Sequence, residues 1–184
     1  AGGSNTSLVD VFSPDGENGK YTHTATIEPE GIRKGDVFGN SISAYKNLLI
    51  VSSSKKANGG AVYIFLTEDS GISFQQVAML KPDDLGEDDE FGQVAITQKY
   101  AVVCTASHNS KTGACYTYQT LDSGYNWFHT AKFTPQDARS GGRFGTRVCA
   151  KDSYVLVAAQ YDNAVYLYRT YDDGTSFFQM AKVN

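Results

Sequence analysis

The stretch Phe38-Gly39-Asn40-Ser41-Ile42-Ser43-Ala44-Tyr45-Lys46-Asn47-Leu48-Leu49-Ile50-Val51-Ser52-Ser53 decides the fold, because its pattern occurs three times. Phe-Gly returns as Phe91-Gly92 and Phe144-Gly145, at a spacing of 53 residues each time. An apolar run follows each copy: Leu48-Leu49-Ile50-Val51, Ala101-Val102-Val103-Cys104 and Val155-Leu156-Val157. The same spacing sets Val51, Cys104 and Val157 level, thirteen residues after each Phe. Short continuous apolar runs bounded by turns suit strands buried on both faces.

Working outward, each apolar run is followed by a β-branched and aromatic segment: Ala61-Val62-Tyr63-Ile64-Phe65, Ala114-Cys115-Tyr116-Thr117-Tyr118 and Ala164-Val165-Tyr166-Leu167-Tyr168. A fourth segment carries an aromatic and then Ala four residues later, as Phe74 with Ala78, Trp127 with Ala131 and Phe177 with Ala181. Tyr21 with Ala25 fits that template one repeat earlier, and Val9-Asp10-Val11-Phe12 stands where a third strand belongs. The pattern therefore predicts fourteen strands, two in an N-terminal half unit and four in each of three full units. Small antiparallel meanders cannot bury their faces alone, so neighbouring units must stack. Four strands per repeat of about 50 residues indicate an all-β propeller segment of about three and a half blades. A sandwich is the alternative, because evenly spaced short strands suit it too. The expected division is a tail over 1–7, a half blade over 8–35, and blades over 36–88, 89–141 and 142–184, all in one domain or part of one.

Composition agrees. The 184 residues include twelve Tyr, ten Phe and eighteen Gly, a balance that favours pleated surfaces and tight turns. The formal charge is −4, and no run gathers Lys and Arg into a stripe able to neutralise several phosphates, so nucleic acid is excluded as an expected partner. The longest apolar run, Leu48 to Val51, is far too short to span a bilayer. The opening Ala1-Gly2-Gly3-Ser4 carries no apolar targeting segment.

Phe-Gly opening a strand, a buried run ending in small residues (Ser52-Ser53, Thr105-Ala106, Ala158-Ala159), a Gly-rich loop and an aromatic third strand together resemble FG-GAP repeats, the integrin-α-like class. The likeness spans Leu8 to Val183. It implies a β-propeller whose framework residues are Phe38, Gly39, Phe91, Gly92, Phe144 and Gly145. Two features depart from the family pattern. No Pro follows the apolar strand, and the connections Ala44–Asn47, Thr97–Tyr100 and Ala150–Ser153 lack the alternating Asp of the integrin-type calcium loop, so calcium is not carried over. The third-to-fourth-strand turns Thr67–Phe74, Thr120–Trp127 and Thr170–Phe177 resemble Asp-box hairpins, a structural motif also found in sialidases. In them Asp69, Asp122 and Asp172 are expected to accept backbone amides, and Gly71, Gly124 and Gly174 to supply positive φ. The arginine cluster that sialic acid recognition needs is missing, which makes a sialidase-like hydrolase the last of the functional alternatives.

Cys104 and Cys115 replace Val on neighbouring strands of one unit, which predicts a cross-strand disulfide and an oxidising compartment. Cys149 is then left as a buried free thiol. The acidic segment Asp83-Asp84-Leu85-Gly86-Glu87-Asp88-Asp89-Glu90 is expected to be a solvated loop, since its spacing matches no calcium loop. His23, His108 and His129 sit at unrelated positions without a second ligand at metal spacing. Asn58-Gly59-Gly60 lacks the Lys and helix of a phosphate loop. Asn5-Thr6-Ser7 is the one glycosylation sequon.

No catalytic constellation and no cofactor or metal site follows from these residues. The expected role is a non-catalytic module for protein–protein interaction or scaffolding, extracellular or in an organelle lumen. Its partner would be a subunit of a larger assembly or the rest of a longer propeller, because a half unit leaves the ring open. A glycan-binding lectin is the alternative.

Overall fold

Alternating and continuous apolar segments become strands throughout the computed structural model, which describes residues 8–16 and 19–184. The tail over 1–7 and the sequon Asn5-Thr6-Ser7 lie outside the described residues. A two-stranded hairpin of β1 (Val9–Pro14) and β2 (Tyr21–Ile27) comes first. The first four-stranded sheet holds β3 (Phe38–Tyr45), β4 (Leu48–Ser53), β5 (Ala61–Leu66) and β6 (Gln75–Leu80). The second holds β7 (Gln93–Ile96), β8 (Tyr100–Thr105), β9 (Ala114–Gln119) and β10 (Phe128–Phe133). The third holds β11 (Phe144–Lys151), β12 (Tyr154–Ala159), β13 (Ala164–Arg169) and β14 (Phe178–Val183). Strands follow one another in sequence order within each sheet and every pairing is antiparallel.

The sheets are propeller blades. Their first strands neighbour one another, β3 against β7 and β7 against β11, and the sheets stack face to face outward from there. Alternation along each strand gives a sheet two apolar faces, and a separate core fills each gap. Leu49, Val51, Tyr63 and Phe65 pack with Ile27 against the hairpin. Leu48, Ile50, Val62 and Ile64 pack against Ala101, Val103 and Tyr116 of the next sheet. Tyr100, Val102, Cys104 and Cys115 pack against Val155, Val157 and Tyr166 of the last. A fully buried side chain of this size contributes about 1.5–3 kcal/mol by leaving water. The adhesion between blades is therefore carried by a handful of residues per face.

One equivalence read from the spacing is corrected. Faces, not counting, show that Val51 corresponds to Val103 and Val157, all turned towards the preceding sheet. Cys104 instead corresponds to Ser52 and Ala158. The cause lies in the first strands: β3 and β11 carry a bulge, between Phe38 and Ile42 and between Phe144 and Arg147, whereas β7 pairs with β8 without one, so the second strand of the middle sheet arrives one residue sooner. The repeat length is kept because the next connection compensates.

Candidate functional site

The Phe-Gly pairs build the inner end of the arc. Phe38, Phe91 and Phe144 are buried in the cores. A Cβ on Gly92 would fall 2.8 Å from the Ser52 Cβ, and one on Gly145 would fall 2.9 Å from the Cys104 Cβ. Gly92 and Gly145 let β7 and β11 touch the second strand of the preceding blade, which explains the small residues that end those strands, while Gly39 lies against Val9 of the hairpin. The residue before each Phe is held in the left-handed region: Val37 at φ 56°, Glu90 at 54° and Arg143 at 56°. Such a conformation costs a non-Gly residue about 1–3 kcal/mol, and a β-branched Val most of all.

All three of these strained residues line one open groove of about 780 Å3. Its floor continues with Asn40, Gln93 and Thr146, each two residues after a Phe, and with Arg147. Its rim is made by the connections between second and third strands. Lys55 pairs with Glu90 across the groove at 3.2 Å. Arg143 lies 4.8 Å above the Tyr161 ring, and Arg147 Nη1 donates to Thr146 O at 2.6 Å and Gln93 Oε1 at 3.4 Å. The groove is thus polar, shared by three blades, and lined by side chains that differ at equivalent places.

Backbone contacts fix the rim. Phe91 N donates to Gly59 O at 2.7 Å, and Phe144 N to Thr112 O at 3.0 Å, so each second-to-third connection receives the Phe of the following blade. Gly60 and Gly113 permit the approach, since a Cβ on either would overlap the carbonyl of that Phe. This is the role of Asn58-Gly59-Gly60.

A buried carboxylate and a side-chain nitrogen donor add a latch to each rim. Lys56 Nζ reaches Asp36 Oδ2 at 3.0 Å, and His108 Nδ1 meets Asp89 Oδ2 at 2.6 Å. In the last blade the charges trade places: Gly142 stands where Asp36 and Asp89 stand, Asp162 fills the vacated space, and Arg139 Nε lies 2.5 Å from its Oδ1. The acidic segment is accordingly not a solvated loop at every residue. Asp89 is buried, and Asp84 accepts from Tyr116 Oη at 2.9 Å and from Lys132 Nζ at 2.5 Å, while Lys132 Nζ also donates to His108 Nε2 at 2.8 Å. Burial works against the Asp84 charge, but these hydrogen bonds outweigh it and hold its carboxyl below the usual range. Sequence reasoning missed the latches because the partners lie on different connections and swap sides in the last copy. The 53-residue step from Asp36 to Asp89 was the one available signal.

At the opposite end of the sheets the third-to-fourth-strand turns share one geometry. Asp69 Oδ1 accepts from Ile72 N and Ser73 N at 3.0 and 2.9 Å, and Gly71 N donates to Thr67 Oγ1 at 2.9 Å. Asp122 Oδ1 accepts from Asn126 N at 2.9 Å, and Asp172 Oδ1 from Thr175 N and Ser176 N at 3.1 and 2.9 Å. Hydrogen bonds from the Asn126 backbone and side chain, with one from Thr120, pull the Asp122 carboxyl down to about 2. Gly71, Gly124 and Gly174 take φ of 93°, 106° and 95°. Gly124 and Gly174 also touch the preceding blade, where a Cβ would fall 2.4 Å from a Leu48 methyl and 2.6 Å from the Tyr100 Cβ. These turns are thus inter-blade contacts as well as hairpins.

Cys104 and Cys115 are paired residues on β8 and β9 and are joined by a disulfide. Cys149 is exposed rather than buried, because β11 turns Val148 and Ala150 to the core and Arg147, Cys149 and Lys151 outward. His23 contacts Asp10 at 3.1 Å and His129 contacts the Ala131 carbonyl at 3.1 Å, each apart from the latch of His108. Among the described residues no group of three or more His, Cys, Asp or Glu is placed to hold a metal ion, and no helix is long and apolar enough to cross a membrane.

The FG-GAP repeat model matches residues 21–65 and 127–175, together just over half of the chain. The chain belongs to the FG-GAP repeat family. FG-GAP repeats are generally non-catalytic and typically mediate contacts with proteins or other ligands. The stretch between the two matched segments holds β7, β8 and β9 of the middle blade, whose first two strands pair without the bulge of the other blades and which carries the disulfide. No curated protein matches the chain in sequence.

Proposed function

We propose that the chain is a non-catalytic propeller module that binds a partner protein through the groove at the inner end of its blades, in an extracellular or lumenal assembly. One observation carries this: three blades each commit a strained residue, Val37, Glu90 and Arg143, to lining the same groove. Strain is retained where the side chain's placement is useful, and the varied identities at a fixed position suit recognition rather than packing. The family supports an interaction role, and the Cys104–Cys115 bridge supports an oxidising compartment. In this reading Phe38, Gly39, Phe91, Gly92, Phe144 and Gly145 are framework, and the turns of Asp69, Asp122 and Asp172 act as Asp boxes that space the blades over 8–35, 36–88, 89–141 and 142–184.

A photo-crosslinking residue at Gln93, in the groove, is expected to capture a discrete protein from secreted and lumenal fractions of the source cells, whereas one at the exposed Thr22 on β2 captures none. Equal capture at both places, or none at Gln93, would remove the groove as the interface. Turnover of a fluorogenic sialoside would overturn the non-catalytic assignment. Glycan binding is the second reading, favoured by the exposed rings of Tyr161 and Tyr171, and hits on a glycan array that vanish in Tyr161→Ala would replace the first.

A further inference from the structure

The charges lining the groove are unevenly satisfied. Its lining side chains include three cations, Lys55, Arg143 and Arg147, against one carboxylate, Glu90, and that carboxylate is engaged by Lys55. Among the described residues neither Arg143 nor Arg147 has an acidic partner. Arg143 is steadied by the Tyr161 ring, and Arg147 by Thr146 O and Gln93 Oε1. Both guanidinium groups are thus oriented by neutral neighbours while most of their five donors stay uncommitted.

We infer, resting on the groove as the interface, that its ligand is an acidic segment of the partner protein, whose carboxylates dock on Arg143 and Arg147. A planar guanidinium fork matches a carboxylate bidentately, and pre-orientation by a ring and a carbonyl lowers the entropy lost on docking. The chain's net charge of −4 does not oppose this, because charges more than about 8 Å away are screened at physiological salt. The neutral floor of Asn40, Gln93 and Thr146 can accept and donate along a peptide backbone. Nucleic acid is the poorer fit: a phosphate backbone gains affinity from many cations in a row, and here two stand beside Glu90.

The test is fluorescence anisotropy of a labelled oligo-glutamate peptide titrated with the full chain, with oligo-lysine and oligo-thymidine DNA as comparison probes. Oligo-glutamate is expected to bind most tightly. Arg147→Ala should weaken it about tenfold, as loss of a charge-assisted hydrogen-bonded pair predicts. Arg147→Glu should reverse the preference towards oligo-lysine. Arg147 lies on the exposed face of β11, so these variants should keep the wild-type thermal transition; Arg143→Lys serves as the second variant, retaining charge and losing the fork, with an intermediate loss. Equal binding of the three probes, tighter binding of DNA, or affinity unchanged in Arg147→Ala would overturn the inference. Should Gln93 crosslink a protein while oligo-glutamate does not bind, the acidic ligand falls and the interface stands; if neither occurs, both fall.

Discussion

Tyr100 and Tyr154 open the second strands of consecutive blades and point to the same face of their sheets, yet one is 2% exposed and the other 44%. The difference extends over the whole face. Val102 and Cys115 are fully buried between the middle and last blades, while their counterparts Leu156 and Val165 are 46% and 41% exposed. Nothing in the local sequence separates the two sets, since both are apolar residues in strands of one length. What separates them is a neighbour: Gly174 and its turn sit on Tyr100, whose hydroxyl donates to Asp152 O at 2.8 Å, whereas Tyr154 meets the guanidinium of Arg169 at 5.2 Å. Burial in a propeller is thus a property of the gap between blades and not of the strand that borders it.

The largest effect should come from placing a charge in each face. Val102→Asp is expected to abolish cooperative folding, because a carboxylate would be sealed in an apolar core, while Leu156→Asp should fold with a melting temperature within a few degrees of wild type. Circular dichroism melts decide this, and failure of Leu156→Asp to fold would mean that the outer face is covered in solution. Tyr100→Ala should destabilise by about 3–5 kcal/mol in urea titrations and Tyr154→Ala by less than about 1 kcal/mol. Equal losses would break the comparison. Replacing Cys104 and Cys115 together by Ala should cost about 2–4 kcal/mol, and reductant should lower the stability of wild type towards that of the variant while leaving the variant unchanged. Smaller still, Tyr100→Phe should cost about 1 kcal/mol through the lost hydroxyl bond, with Tyr154→Phe near zero.

Acid titration tests the turns that cap the gaps. The Asp122 carboxyl is depressed in the folded state to about 2, so its contribution is complete above the unfolded value near 3.9 and is lost as pH falls through about 2. Wild type should therefore lose stability faster than Asp122→Asn between those limits, and parallel acid profiles would show that the carboxylate does not hold the turn.

The number and order of strands were legible because they rest on local signals that repeat: Phe-Gly, an apolar run, an aromatic run, an Asp-Gly turn. The site was legible only in its frame. Phe38, Phe91 and Phe144 announce the inner end of the blades, but nothing in the sequence marks the strained residues before them, since Val37, Glu90 and Arg143 share no chemistry. A free Cys is expected in a core because the residue type is commonly buried, but the alternation of β11 turns Cys149 to the face that no further blade covers among the described residues. Register failed where two changes compensated: the missing first-strand bulge of the middle blade and a longer connection between its second and third strands left the 53-residue spacing intact while shifting Cys104 to the place of Ser52.

The bridge between Cys104 and Cys115 joins two strands of a single sheet. No disulfide ties one blade to another among the described residues, and in a stacked array each unit holds only its neighbours. Under tension applied to the two ends, the arc is therefore a series of noncovalent joints with one reinforced link, and it should part in steps at the gaps between blades, while the segment between Cys104 and Cys115 stays unextended as long as the bridge holds.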